Sequence, residues 1–274
     1  MLGAYGQLSR GSRGAAALLL VGAVVALTAC TGAKPLPPPH ASAVPVPAVG
    51  LCHALSFDEA VAVSAPDTAL PCQSSHTSET FAVGTLPTEV DGHLLAVDSA
   101  RALQAAAKAC TSTALPAFLG TSTAALRLSL LRAVWFVPSA DEASEGARWY
   151  RCDVIGTARG ALLAATKSWK GVLADAQHRS QFGMCGTAAP GAEGFERVAC
   201  TAKHTWRAIG SVSVASADGA YPGEAVAKAA GRATCKRLGQ SAGANPLNYQ
   251  WGYEWPTQDE WSAGQTYGLC WAPA

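Results

Sequence analysis

The placing of the cysteines constrains this chain more than any other feature. Nine are present, and eight of them, from Cys52 to Cys270, fall into two sets of four with matching surroundings. The run Pro138 to Cys152, PSADEASEGARWYRC, aligns without a gap with Pro256 to Cys270, PTQDEWSAGQTYGLC. Pro, Asp, Glu, Ser, Gly and Cys recur at identical spacing. Cys72-x3-His76-Thr77 likewise matches Cys200-x3-His204-Thr205, and SARALQAAAKAC ending at Cys110 matches EAVAKAAGRATC ending at Cys235. The sequence therefore predicts two tandem copies of one small unit, over 51–155 and 184–274. Two copies make a duplication and not a solenoid, which normally needs three or more.

Each copy is expected to fold as an α+β unit, a short antiparallel sheet with one packed helix. The stretches after the two His-Thr pairs have strand character. Alanine-rich segments then predict a helix running to the third cysteine, with Lys108 or Arg232 placed where a cation favours the helix dipole. A further strand precedes each Pro-Ser/Thr turn. In the second copy Tyr249, Trp251, Tyr253 and Trp255 alternate with smaller or polar residues, which places four aromatics on one face. Their counterparts are Leu131, Ala133, Trp135 and Val137. The segment 156–183 is expected to be a helical connection, from the spacing of Leu162, Trp169 and Leu173.

An even set of eight cysteines in an exported chain predicts disulfides. Spacing alone leaves three pairings open within each unit. The favoured set joins first with second and third with fourth: Cys52–Cys72, Cys110–Cys152, Cys185–Cys200 and Cys235–Cys270. The reason is that the helix ending at the third cysteine should pack on the sheet that holds the fourth. Cys-x3-His also invites a metal, but zinc sites usually show paired Cys-x2-4-Cys spacing, which is missing here. No metal is expected, and His76 and His204 are read as turn residues that double as binding candidates.

The ninth cysteine is explained by the amino terminus. Arg10 and Arg13 precede thirteen uncharged residues, Ala15 to Leu27, too few for a comfortable membrane span but apt for a signal-peptide core. Leu27-Thr28-Ala29-Cys30 has the form of a lipobox. Residues 1–29 are thus expected to be a lipoprotein signal peptide and Cys30 the lipidation site, with two acyl chains giving stable anchoring. Residues 30–50 follow as a tether, with six prolines between Thr31 and Gly50, extended and semi-rigid. His40 within it is read as solvated. The expected location is the outer face of the cytoplasmic membrane, held by a diacylglyceryl anchor.

Charge narrows the partners. The chain has 20 basic and 19 acidic side chains, and the leader removes two arginines, so nothing resembles the basic footprint that nucleic acid requires. No P-loop, G-x-S-x-G, H-E-x-x-H or dinucleotide motif occurs in the mature chain, and no cofactor is expected. Asp141-Glu142 and Asp259-Glu260 are the best carboxylate candidates, but each pair follows a Ser or Thr able to cap a helical turn. Adjacent acids on a helix also point in different directions, which ill suits flanking one scissile bond.

These residues together resemble the actinobacterial septum formation family of exported and membrane-anchored proteins. The resemblance rests on Cys72/His76 and Cys200/His204, on Tyr221-Pro-Gly-Glu before the second helix, and on Pro138/Gly146/Cys152 and Pro256/Gly264/Cys270. It covers 51–274 as a tandem pair. The family's Pro-His is Ser75-His76 and Lys203-His204 here, and its acid three residues after His survives only as Glu79, with Arg207 in the second copy. The resemblance implies an envelope role near division and brings no active site. The leading expectation is a non-enzymatic module that binds an envelope protein or a wall component. The alternatives are a wall-modifying hydrolase using Glu142 or Glu260, and a small-ligand or signal-sensing ectodomain.

Overall fold

Extended backbone sets in where the His-Thr pairs give way to β-branched and aromatic residues. A computed structural model describes residues 44–66, 68–87 and 89–274. The expected signal peptide 1–29, Cys30 and most of the tether, His40 included, lie outside the described residues. The first half of the chain runs β1 (Cys52–His53), α1 (Phe57–Ala60), β2 (Ala69–Leu70), β3 (Ser78–Thr85), β4 (Glu89–Val90), β5 (His93–Leu94), α2 (Ala100–Cys110), α3 (Ala114–Leu119), α4 (Thr123–Leu126), β6 (Leu131–Phe136), α5 (Ala140–Ser144), β7 (Trp149–Ala158) and β8 (Ala161–Leu162). The second runs α6 (Ala176–Gln181), β9 (Met184–Gly186), β10 (Arg197–Ala199), β11 (Trp206–Ser213), α7 (Glu224–Ala242), β12 (Gly252–Glu254), α8 (Gln258–Ser262) and β13 (Tyr267–Pro273).

Two larger antiparallel sheets result, ordered β2-β1-β3-β7-β6 and β10-β9-β11-β13-β12, with β8 paired to β7, and β4 and β5 form a separate two-stranded ribbon. Both central ladders are irregular at the same offset from the histidine. One breaks register between Thr80 and Ala82, the other between Ala208 and Gly210. The short helices before β7 and β13 begin with reciprocal capping boxes. Ser139 and Thr257 accept the backbone N–H of Glu142 and Glu260, whose carboxylates reach back to the cap residue.

Four disulfides close the framework, Cys52–Cys72, Cys110–Cys152, Cys185–Cys200 and Cys235–Cys270, the pairing expected from chain order. The second and fourth pin α2 and α7 to the strands they pack on. The two helices differ in length. α2 stops at Cys110, where Thr111 and Ser112 turn their hydroxyls onto the carbonyls of Ala107 and Ala109. α7 continues two turns past Cys235, because Lys236, Arg237, Leu238 and Gln240 are good helix formers and no hydroxyl cluster intervenes.

The segment 156–183 differs from the expected helical connection. β7 and β8 form a hairpin through Arg159 and Gly160, both at positive φ, as a type I′ turn requires. Helix appears only at Ala176–Gln181. The apolar spacing of Leu162, Trp169 and Leu173 reflects separate anchor points. Trp169 and Leu173 fill the core with Phe81, Leu115, Leu119 and Val154, while the chain between turns at Gly171, φ 72°. The two halves also share a core: Leu130, from just before β6, is buried with Met184, Ala208, Leu269 and Trp271. Among the described residues no helix is long and apolar enough to cross a membrane.

Candidate functional site

The residues singled out in the sequence occupy four places. His76 and His204 hold turns: the Nδ1–H of each donates to the carbonyl two residues earlier, Ser74 at 2.9 Å and Ala202 at 2.7 Å. His76 is fully buried, with its ring 5.8 Å from that of Trp169. Its Nε2 has no hydrogen-bond partner, and one ring nitrogen lies with Cys52 Sγ and a Glu79 oxygen within a 4.8 Å cluster. Cys52 is committed to its disulfide, which leaves two donors, short of the set that holds zinc. Glu79 is already satisfied by the Ser168 hydroxyl and the Trp169 N–H, each at 2.6 Å. At the matching position of the second half stands Arg207, and His204 is only half-buried.

The aromatic stripe faces inward. Only Gly252–Glu254 forms a strand, and the stripe lies against α7, which carries glycines where the rings arrive. A Cβ on Gly231 would fall 2.1 Å from the Tyr253 ring, and one on Gly239 would fall 2.4 Å from Trp251 Cβ. The Tyr253 hydroxyl donates to Ala227 O at 3.1 Å. Trp251 and Trp255 are half-buried in the same cluster, and Tyr249 is half-buried beside Gly243. These rings are used in packing.

Glu142 and Glu260 are used in the caps. Each accepts the N–H and hydroxyl of its cap residue through Oε2. Glu260 also presents Oε1 to Arg197 at 3.3 Å.

A buried polar centre escaped the sequence reading. Asp153, fully buried in β7, accepts from Ser78 at 2.6 Å and Thr80 at 2.8 Å, and pairs with Arg151 at 3.1 Å. Because the Thr80 hydroxyl gives its proton to Asp153, it must accept from His53 Nε2, 3.1 Å away. With Cys152 and Cys270 matched, the places of Arg151 and Asp153 fall to Leu269 and Trp271, so the second sheet is apolar there. The centre is closed to solvent and organises the first sheet.

A cleft of about 240 Å³ lies between the two halves. Its first wall comes from α3, α4 and β6, its second from β10 and the turn between α8 and β13. Three arginines line it. Arg127 lies 4.3 Å over the Tyr267 ring and donates to Ser213 at 3.0 Å. Burial pushes the Tyr267 phenol up, against the pull of Arg127 and Arg197. Arg197 pairs with Glu254 at 2.9 Å and with Glu260. Burial would lower its guanidinium, but the two carboxylates outweigh that and raise it. Arg132 is reached by solvent, yet the density of protein around it, and then Arg197, pulls it below the ordinary guanidinium value. It remains a full cation at neutral pH. None of these arginines forms a motif, since they come from separate segments and meet only through the fold.

A family model described as septum formation matches residues 49–270. No curated protein and no solved structure matches the chain.

Proposed function

The chain belongs to the septum formation family, and from that membership we propose that it is a lipid-anchored envelope protein, a non-enzymatic binding module serving the cell wall or the division site. In this reading Cys30 carries the anchor, the proline-rich stretch spaces the folded part from the outer face of the membrane, and 51–155 and 184–274 are tandem copies of one unit. The strand order common to both sheets and their equivalent register breaks support the duplication. The observation that carries the binding role is the cleft, whose lining residues come from both halves. A single copy would have only one of its walls. The carboxylates best placed for hydrolysis are occupied in caps, which favours recognition over chemistry.

Crosslinking in living cells followed by purification of the full chain tests this. Recovery of a defined envelope protein or of wall fragments is the expected result. Muropeptide release by the purified protein, abolished when Glu142→Gln and Glu260→Gln are combined, would replace binding with hydrolysis. Intact mass checks the architecture: the mature chain should start at an acylated Cys30 and lack the protons of all four bridged pairs.

A further inference from the structure

Of the three arginines in the cleft, two have partners. Arg197 is held by Glu254 and Glu260, and Arg127 is stacked on Tyr267 and bonded to Ser213. Among the described residues Arg132 forms neither an ion pair nor a hydrogen bond. It is an exposed guanidinium on edge strand β6, and Arg197 is close enough to disfavour its charge. Tyr267 and Glu260 act the other way, and a further anion in the cleft would relieve the remaining repulsion between the two guanidiniums. Over the whole chain the charge nearly balances, with 20 basic and 19 acidic groups, so Arg132 does not belong to a general basic surface.

Shape narrows the anion. Leu115, Leu126 and Ala263 share the lining with Thr111, Gln265 and the Glu260 carboxylate that Arg197 holds, so a charged end meets apolar side chains within a partly polar bed. At about 240 Å³ the cleft is below the roughly 300–1,000 Å³ of sites that enclose drug-sized ligands, and suits the end of a chain. A planar guanidinium fork matches a carboxylate through two parallel N–H···O bonds.

Building on the binding-module reading, we propose that the cleft takes the free carboxyl terminus of a peptide ending in small apolar residues, with Arg132 as the recognition residue. Arg127 and Tyr267 form the floor beside it. Arg197, already held by Glu254 and Glu260, does not compete for the ligand.

Calorimetry on the full chain in detergent, with N-acetyl-alanyl-alanine as probe in its L,L and D,D forms, tests the assignment. At least one free acid should bind saturably, the C-terminal amide should not, and inorganic phosphate should bind more weakly. Arg132→Gln should weaken the acid by about tenfold, as expected for loss of a charge-assisted pair. Arg132→Lys, which keeps the charge and loses the fork, should fall between. Circular dichroism and melting temperature should stay unchanged in both variants. Equal binding of acid and amide, phosphate binding tighter than either acid, no saturable binding, or unaltered affinity in Arg132→Gln would each overturn the proposal. If crosslinked wild-type and Arg132→Gln proteins capture the same partner equally, the cleft assignment fails and the binding-module reading stands. If the acid binds as described while no partner or wall fragment is ever captured, that wider reading fails instead.

Discussion

Glu79 shows how one side chain can hold a distant segment. Its two oxygens accept from Ser168 and from the Trp169 backbone, about ninety residues further on, and so fix the loop that drives Trp169 into the core. Glu79→Gln replaces one acceptor with a donor that must face another donor. The expected loss is about 1.5–3 kcal/mol, the range for hydrogen bonds to a charged group, read as a lowered denaturant midpoint with faster hydrogen exchange at the Trp169 amide. In the sequence Glu79 stood out only as the surviving acid of a family pattern. Arg151 and Asp153 did not stand out at all, and the reason is physical. Alternation about the buried Cys152 assigns them to an outer face, but β7 is covered on both sides. One side carries Val154 with Trp169, the other Ile155 with Phe136 and Trp149. Charges in such a strand cost desolvation, and they persist because Ser78 and Thr80 complete the shell of Asp153.

Among the elements, α7 and the aromatic run that follows it were individually legible, and their relation was not. Alternating aromatics signal a face without saying what covers it. The glycines at 231 and 239 were the missing clue: in a helix interior each costs about 1 kcal/mol relative to alanine, a cost that here permits close approach of the aromatic residues, while Gly243 just past the helix gives Tyr249 the same room. Gly231→Ala should therefore destabilise in spite of the better helix propensity, by about 1–3 kcal/mol from overpacking against Tyr253. Thermal melts of Gly231→Ala, of Tyr253→Leu and of the double variant check it, the double being less damaged than the sum of the singles. The capped turns were read correctly, because Ser/Thr followed by Glu three residues on specifies its own hydrogen bonds within one turn. The expected helix in the 156–183 segment was not, since positive φ at Arg159, Gly160 and Gly171 outweighed an apolar spacing that happened to be helical.

At the scale of the whole molecule, the repeated cysteine pattern made two similar sheets predictable, but it carried no information on how closely they join. Leu130 sits in the apolar cluster of the second sheet, with Leu128, Ala158 and Leu163 packed against it. The N–H of Met184 bonds to Leu128 O at 2.9 Å and that of Arg159 to Arg197 O at 3.0 Å. Residues 184–274 made alone should consequently expose Met184, Leu269 and Trp271 and lack fixed near-ultraviolet dichroism, while 44–274 unfolds in one transition. A stable, ordered 184–274 fragment would contradict this.

The four disulfides have one more consequence, which lies in their order along the chain. Their loops occupy the separate intervals 52–72, 110–152, 185–200 and 235–270, none nested in or crossing another. A chain oxidised while still emerging from a pore, from its amino end, can close each bridge as soon as the second sulfur clears, before any competing cysteine arrives. With Cys30 taken by the proposed lipid, joining the other eight in order of appearance yields the native set, so no later step of bond reshuffling is required. In an exported chain, as proposed here, oxidative maturation can keep pace with the passage of the chain itself.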